Sequence, residues 1–288
     1  MYDMGRTVGV FLLSVMFAIP LAALDGKAQP NQKPLAFEVA SIKPNTNSDI
    51  RQRGIQPLQP GGLFRSAGLT LQEYIRVAYG QSGTLLLEQV TGGPSWVATE
   101  RFDITAKVED FRSVADPNQY VLTMLRALLV DRFKLTLHTE QRQRAIYDLV
   151  VLAPDRQLGP RLRRTTEPCV QIMATQTPAD VSRMCGVRRV GPGLFSSTGT
   201  PMSWLAVMLS QRPEINRVVH DRTNLAGDFD VDLEFQPWTV TPGSQDSVGA
   251  IGASIFTALQ EQLGLKLEST NGLVDVLVVD RVERPSAD

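Results

Sequence analysis

The sequence predicts an α+β fold made of two similar two-layer α/β sandwich units, joined by an arginine-rich connector. The first observation is a phrase that occurs twice: "GGLFRSAGLTLQEYIRVAYG" begins at Gly61, and "PGLFSSTGTPMSWLAVMLSQ" begins at Pro192. The second is that segments with strand and helix periodicity follow both phrases in one order, β-α-β-β-α-β-β. The third is that the strands alternate apolar and polar residues, so helices should cover one face of each sheet.

Each phrase predicts a strand that runs directly into a helix. In the first copy, Thr70 and Glu73 have the spacing of a capping box, and apolar residues follow from Leu71 at helical intervals. In the second copy, Thr200 is the expected cap and Pro201 the first helical residue, where its missing N–H is tolerated.

The later elements of the two copies also correspond. Residues 101–109, "RFDITAKVE", and 228–235, "DFDVDLEF", alternate apolar and polar residues and predict half-buried strands. A helix and a final hairpin are expected next in each copy, with "TNG" at 270–272 as the second hairpin's turn. The predicted organisation is therefore a unit over 29–153, a connector over 154–191 and a second unit over 192–288.

The composition and the N-terminus indicate an exported globular protein. With 43% apolar residues and a formal net charge of −1 in 288 residues, nothing points to a nucleic-acid partner. Arg6 precedes an apolar run over 8–24, which predicts a signal peptide over 1–28, cleaved after Ala23 or preferably Ala28. An uncleaved anchor is the alternative, but the run is shorter than the roughly 20 residues of a spanning helix. We expect a periplasmic or secreted protein without a stable membrane span.

The connector combines basic residues with two cysteines. Cys169 and Cys185 are expected to form a disulfide in an oxidising compartment. Residues 154–192 contain seven arginines and only three acidic residues. The connector is therefore either a contact for an anionic ligand or an ordinary solvated linker. The possible ligand contacts are Arg161, Arg163, Arg164, Arg188 and Arg189.

Signatures of catalysis, cofactor binding and metal binding are missing from the sequence, so we expect no cofactor or metal. The alternative catalytic set is His220 with Asp230 and Asp232, since a histidine beside carboxylates suits a general base or a metal ligand. The competing interpretation is turn chemistry, in which Asp221 caps a loop and Asn224 and Gly227 adopt positive φ.

His138 is the second histidine of the chain. It stands at the end of an alternating strand, where a solvent-facing or hydrogen-bonded role is favoured over catalysis.

Seven motifs in register resemble an exported, soil-associated family of unknown function that is expanded in acidobacteria. They are "FEVASIKPN", "GGLFRSAGLTL", "GGPSWVATERFDITAK", "MLRALLVDRFKLTLHTE", "VVHDRTNLAGDFDVDLEF", "FTALQEQLGLKLEST" and "VLVVDRVERPS". The resemblance implies an extracytoplasmic protein and supplies no catalytic residue, and related domains attached to membrane-embedded sensor peptidases fit a sensing or binding role. Asn224 stands where the family commonly has glycine, and His220 is not a family hallmark.

The helix-then-strand pattern is also similar to the small βαβ modules of secretins and TonB-dependent receptors, which bind partner proteins. The function expected from the sequence is therefore a binding or interaction module for a peptide, a protein or a cell-envelope ligand. A hydrolase that works through His220 and the carboxylates at 230 and 232 is the alternative.

Export makes a prediction about mass. Mature protein recovered from the cell envelope should lack roughly 23 to 28 N-terminal residues, because a signal peptidase removes the leader. Intact-mass spectrometry measures this directly, and an envelope form that retains Met1 would contradict it.

Overall fold

The computed structural model describes residues 35–47, 53–59, 61–80, 85–109, 116–152, 157–166, 185–237 and 252–285. They form a mixed α/β structure of three four-stranded sheets and five α-helices. From Leu35 onward the chain forms one compact unit. The predicted signal peptide and Cys169 lie outside the described residues.

The strands and helices are numbered in chain order. The strands are β1 (Val39–Pro44), β2 (Gly54–Ile55), β3 (Leu63–Thr70), β4 (Val90–Gly92), β5 (Arg101–Lys107), β6 (Thr136–Val151), β7 (Leu162–Arg164), β8 (Gly186–Gly191), β9 (Leu194–Pro201), β10 (Val219–Asp221), β11 (Asp228–Glu234) and β12 (Leu265–Arg281). The helices are α1 (Leu71–Tyr79), α2 (Trp96–Thr99), α3 (Pro117–Phe133), α4 (Met202–Ser210) and α5 (Ile255–Ala258), the last continued by a π-helical turn over Leu259–Leu263.

The first and third sheets have the same strand order. The first is β1-β5-β3-β2 and the third is β7-β11-β9-β8, both antiparallel. The register corresponds as well: Phe64 of β3 pairs with Ala106, and Phe195 of β9 pairs with Leu233. Both phenylalanines are buried.

The second sheet, which we call the central sheet, is shared by the two halves of the chain. Its order is β10-β6-β12-β4. The long strands β6 and β12 pair antiparallel along their whole length. The short strand β4 of the first half lies parallel to β12, and β10 of the second half lies parallel to β6. The short strand of each half therefore pairs with the long strand of the other half.

This arrangement corrects the predicted pair of hairpins. Thr270, Asn271 and Gly272 lie inside the continuous strand β12, where Asn271 pairs with Ala145 and Gly272 with Arg144. Neither β6 nor β12 therefore turns back on itself to form the predicted hairpin. The polar stretch in each long strand resembles a turn in composition because it forms the exposed middle of the strand.

Two apolar cores follow from the shared sheet. The first contains residues of β3, α1, β5 and α3, together with Val279 from the end of β12. The second contains residues of β9, α4, β11 and α5, together with Leu149 from the end of β6. Two independent sandwich units would have kept these side chains apart, whereas each core here includes a residue from the other half.

The predicted connector also differs from expectation. Within 154–191 the structure contains β7 and β8, which are the two edge strands of the third sheet. Short edge strands carry little hydrophobic periodicity, so this part of the sequence resembles a linker.

The helix starts confirm one predicted cap and correct the other. The Thr70 hydroxyl accepts a hydrogen bond from the Glu73 N–H at 3.2 Å, and Glu73 accepts one from the Thr70 N–H at 2.8 Å. Burial would raise the pKa of Glu73, but hydrogen bonds from Arg53 and Thr70 hold it below its ordinary value. The predictions for Thr200 and Pro201 are wrong: α4 begins at Met202 with Pro201 in the N-cap position and no side-chain cap, and the Thr200 hydroxyl bonds instead to Ser197 at 2.8 Å.

The helices before β6 and β12 end in left-handed residues. Lys134 has φ 50° after α3, and Gly264 has φ 68° at the corresponding place in the second half. A side chain in this conformation costs roughly 1–2 kcal/mol, which glycine avoids.

We expect Lys134→Gly to raise the free energy of unfolding by about 0.5–1 kcal/mol, after allowing for the greater backbone entropy of unfolded glycine. Gly264→Ala is the matched control and should destabilise, because a Cβ there would lie 2.7 Å from the Gly159 nitrogen. Urea denaturation followed by circular dichroism measures both. A destabilised Lys134→Gly protein would contradict the strain argument.

Candidate functional site

The middle of the central sheet lies between the two cores. On the face that carries Leu137 and Leu149 into the cores, most side chains between these ends are exposed, whereas Tyr147 and Leu277 are half-buried. The exposed ones of β6 are Thr139, Gln141, Gln143 and Ala145, and those of β12 are Ser269, Asn271, Leu273 and Asp275. These eight side chains form a mainly polar surface, which we call the floor, between the two cores.

A cavity of about 610 Å³ lies on the central sheet. It is lined by Tyr79 and Leu85, by Gln89 beside β4, by Thr139 and Gln141 of β6, by Leu273, Val274, Asp275 and Leu277 of β12, and by Val218 and His220 at β10. Since β4 and β10 are at opposite edges of the sheet, the cavity crosses it and draws its lining from both halves.

The polar groups of this cavity are held by hydrogen bonds across the sheet. The Gln89 amide donates to the Asp275 carbonyl at 2.8 Å, and its oxygen accepts from the Leu86 N–H at 2.8 Å. The Gln141 amide donates to the Asp275 carboxylate at 3.2 Å, across the β6–β12 pair. These bonds fix the orientation of two amides and one carboxylate among apolar side chains.

Tyr79 adds a phenol at the end of α1. Burial raises its pKa, although the Arg126 guanidinium, 5.5 Å from the ring centre, acts in the opposite direction. The phenol therefore stays protonated at neutral pH and can donate a hydrogen bond.

The two ends of the floor are filled differently. At the end nearer β10, Tyr147 packs edge-on against Phe256 at 5.8 Å, and Arg217 lies over its ring at 5.2 Å. Leu277 occupies the equivalent position at the other end. Tyr147 pairs with Val219, the first residue of β10, and Leu277 pairs with Val90, the first residue of β4. The smaller leucine belongs to the cavity lining.

The alternative catalytic residues are not brought together. His220 lines the central cavity, and Ile146 leans across Gly272 beside it. Asp230 and Asp232 lie on β11 in the third sheet. His220 therefore has neither carboxylate as a neighbour in its sheet.

Asp230 instead braces a distorted strand. Its carboxylate accepts hydrogen bonds from the Gly199 N–H at 3.0 Å and the Thr165 hydroxyl at 2.9 Å. In the first sheet, Asp103 likewise accepts from the Gly68 N–H at 2.8 Å and the Asn45 amide at 2.6 Å. Both contacts occur where the strand register shifts. A brace that occurs in both halves is structural.

The predicted arginine contacts lie on the third sheet. Arg161 pairs with Glu234 at 3.1 Å, and Arg163 donates to the Pro160 carbonyl at 3.3 Å. Arg164 donates to the Ala226 carbonyl at 2.6 Å and stacks over Phe229. Arg189 is exposed on β8, and the side chain of Arg188 lies outside the description. Three of the five arginines thus make contacts within the protein.

The turn interpretation of the Asp221 region is confirmed. Asp221 accepts hydrogen bonds from the Thr223 N–H at 2.9 Å and the Thr223 hydroxyl at 2.7 Å. Asn224 has φ 54° and Gly227 φ 90°. Asparagine tolerates the left-handed region better than most residues, so Asn224 can adopt this conformation without glycine.

His138 lies in a polar cluster on the opposite face of the central sheet. Its Nδ1 is 2.8 Å from the Asp280 carboxylate, and its Nε2 is 3.7 Å from Glu140, which also pairs with Arg142. The hydrogen-bonded role predicted for His138 is confirmed. Its partner at position 280 could not be identified from sequence, because the contact depends on β6–β12 pairing.

Within the described ranges, no group of three or more histidine, cysteine or acidic side chains could hold a metal ion. In the same ranges, none of the helices has the length and apolar character needed to cross a membrane.

Fold and site together define an α/β protein of two interlocked, similar halves with a mixed polar and apolar cavity on their shared sheet. The chain belongs to a family of proteins of unknown function, DUF3738, whose model matches residues 72–282. No curated protein and no solved structure matches it. Membership in a family of unknown function is thus confirmed, whereas soil association and expansion in acidobacteria stay predictions.

The braces make a prediction about stability. We expect Asp230→Ala and Asp103→Ala each to lower the free energy of unfolding by about 1–3 kcal/mol, because each leaves a backbone N–H and a side-chain donor without their acceptor. Asp232→Ala, on the exposed face of the same strand, should change it by less than about 0.5 kcal/mol. Urea denaturation compares all three, and an Asp230→Ala protein as stable as the wild type would contradict a structural role.

Proposed function

We propose that this protein is an extracytoplasmic binding module that holds a peptide or a segment of a partner protein in the central cavity. The observation that carries the proposal is the cavity's position on the sheet that both halves build. Export is supported by the basic and apolar pattern of residues 1–28. A disulfide between Cys169 and Cys185 belongs to the same proposal, as an exported chain meets an oxidising compartment.

The lining favours a peptide over a highly charged ligand. Leucine, valine and tyrosine side chains give apolar walls, while Gln89, Gln141 and Thr139 offer amide and hydroxyl groups. Peptides present the same combination, since apolar side chains alternate with backbone amides. Ligand sites typically combine apolar walls with a few fixed polar groups, and in this cavity apolar and polar groups line the walls in about equal share.

Internal duplication is the second part of the proposal. It is supported by the identical strand orders of the first and third sheets and by the equivalent pairings of β4 and β10. It is further supported by the two aspartate braces at the same register shift. Duplication accounts for a binding surface at the junction of the halves. A single copy would have no such junction, so the surface there arises only when two copies are joined in one chain.

The hydrolase alternative gains no support from the placement of its residues. His220 belongs to the central sheet, whereas Asp230 and Asp232 belong to the third sheet. The Asp230 carboxylate already accepts a hydrogen bond from the Gly199 N–H at the bulge of β9.

Site-specific photo-crosslinking tests the cavity directly. A photo-reactive amino acid at position 273, whose leucine is 58% exposed in the cavity, should trap a peptide or partner in the envelope of the native host. Position 130, a 49% exposed valine on α3 away from the cavity, is the matched control. Mass spectrometry then identifies the adduct.

We expect an adduct at position 273 and not at position 130. An excess of a synthetic peptide with the sequence found in the adduct should suppress its formation. The same adducts at both positions, or none at 273, would refute the proposed site.

A further inference from the structure

A second candidate site crosses the outer face of the third sheet. Arg189 of β8 and Asp232 of β11 both pair with Ser196 of β9, one from each side. Paired residues share a face, and Phe195 and Leu233 of the alternate set point into the second core. Arg189, Ser196 and Asp232 therefore form one row, with the two charged residues about 10 Å apart in backbone position, two strand spacings of roughly 4.8 Å.

A cavity of about 240 Å³ lies over this row. Arg189, Ser196, Asp232 and Glu234 line it, with Gly193, Leu194, Phe195 and Leu233. Ser196 is only 3% exposed, and among the described residues its hydroxyl has no hydrogen-bond partner. A buried hydroxyl without a partner costs free energy, so a protein rarely keeps one without a reason.

The first half of the chain provides an internal comparison. Arg65 follows buried Phe64 there as Ser196 follows Phe195, and Arg65 pairs with Thr105 where Ser196 pairs with Asp232. The fold therefore accepts a long side chain at this place and does not require the serine or the aspartate. The topology that both halves share therefore does not explain why the second half has Ser196 and Asp232 at these positions.

Charged residues of both signs line the cavity. Glu234 is paired with Arg161 at 3.1 Å. Arg189 and Asp232 have no ion pair with any described residue, although they flank the same buried hydroxyl.

We propose that this cavity binds the zwitterionic backbone of a free α-amino acid. The Arg189 guanidinium binds the carboxylate, for which its planar pair of donors is well suited. Asp232 binds the ammonium group, and the Ser196 hydroxyl supplies a hydrogen bond between them. The small volume favours a ligand of amino-acid size, since cavities for larger ligands are typically about 300 Å³ or more. This site is separate from the central cavity and does not rest on the function proposed for it.

Calorimetry on the full mature chain tests the proposal. The probes are the common L-amino acids, with acetate and methylamine as fragments that carry one charge each. At least one amino acid should bind, and more tightly than either fragment. Arg189→Gln and Asp232→Asn should each weaken binding roughly tenfold to a hundredfold, as expected for loss of one charged hydrogen bond.

Ser196→Arg copies the first half and should abolish binding by filling the cavity, and Arg65→Ser is the matched control that should leave binding unchanged. Thermal unfolding of each variant verifies that it is folded. The proposal is overturned if no amino acid binds, if acetate binds as tightly as the amino acid, or if folded Asp232→Asn binds like the wild type.

Discussion

The antiparallel pairing of β6 with β12 is the interaction on which the rest of the structure depends. It holds two halves of similar topology in one sheet and carries Leu149 into the second core and Val279 into the first. Neither core is complete without a strand from the other half. Unfolding of one half therefore exposes apolar surface in the other, so the two should unfold as a cooperative unit although the sequence repeats.

The same pairing creates the central site. Between the two cores, the strands cross a stretch in which most side chains on that face are exposed. Strand pairing and side-chain hydrogen bonds hold this region in shape, which permits residues such as Gln141 and Asp275 in the middle of a sheet. The two ends of this stretch differ, because Leu277, which lines the cavity, stands where the other end has Tyr147.

Local features could be predicted from the sequence, whereas features that depend on pairing could not. The Thr70 cap, the alternation of β5 and β11 and the positive φ of Asn224 are determined by neighbouring residues. The choice between a hairpin at "TNG" and a straight β12 is decided by a partner strand more than a hundred residues away. The residues that line the central cavity could not be predicted for the same reason, because they come from separate segments that meet only after β6 and β12 pair.

Two similar halves in one chain also separate structural residues from candidate functional ones. A polar residue that serves the fold is needed in both halves, as Asp103 and Asp230 are, because both sheets contain the same bulge. A polar residue that one half replaces without loss of topology is not needed for that topology. Gln89 with its counterpart Val218, and Ser196 with Arg65, are such pairs, and Gln89, Val218 and Ser196 each line a cavity. Since an unpaired buried hydroxyl lowers stability, the difference at 196 requires a compensating benefit, and a ligand that bonds to it provides one.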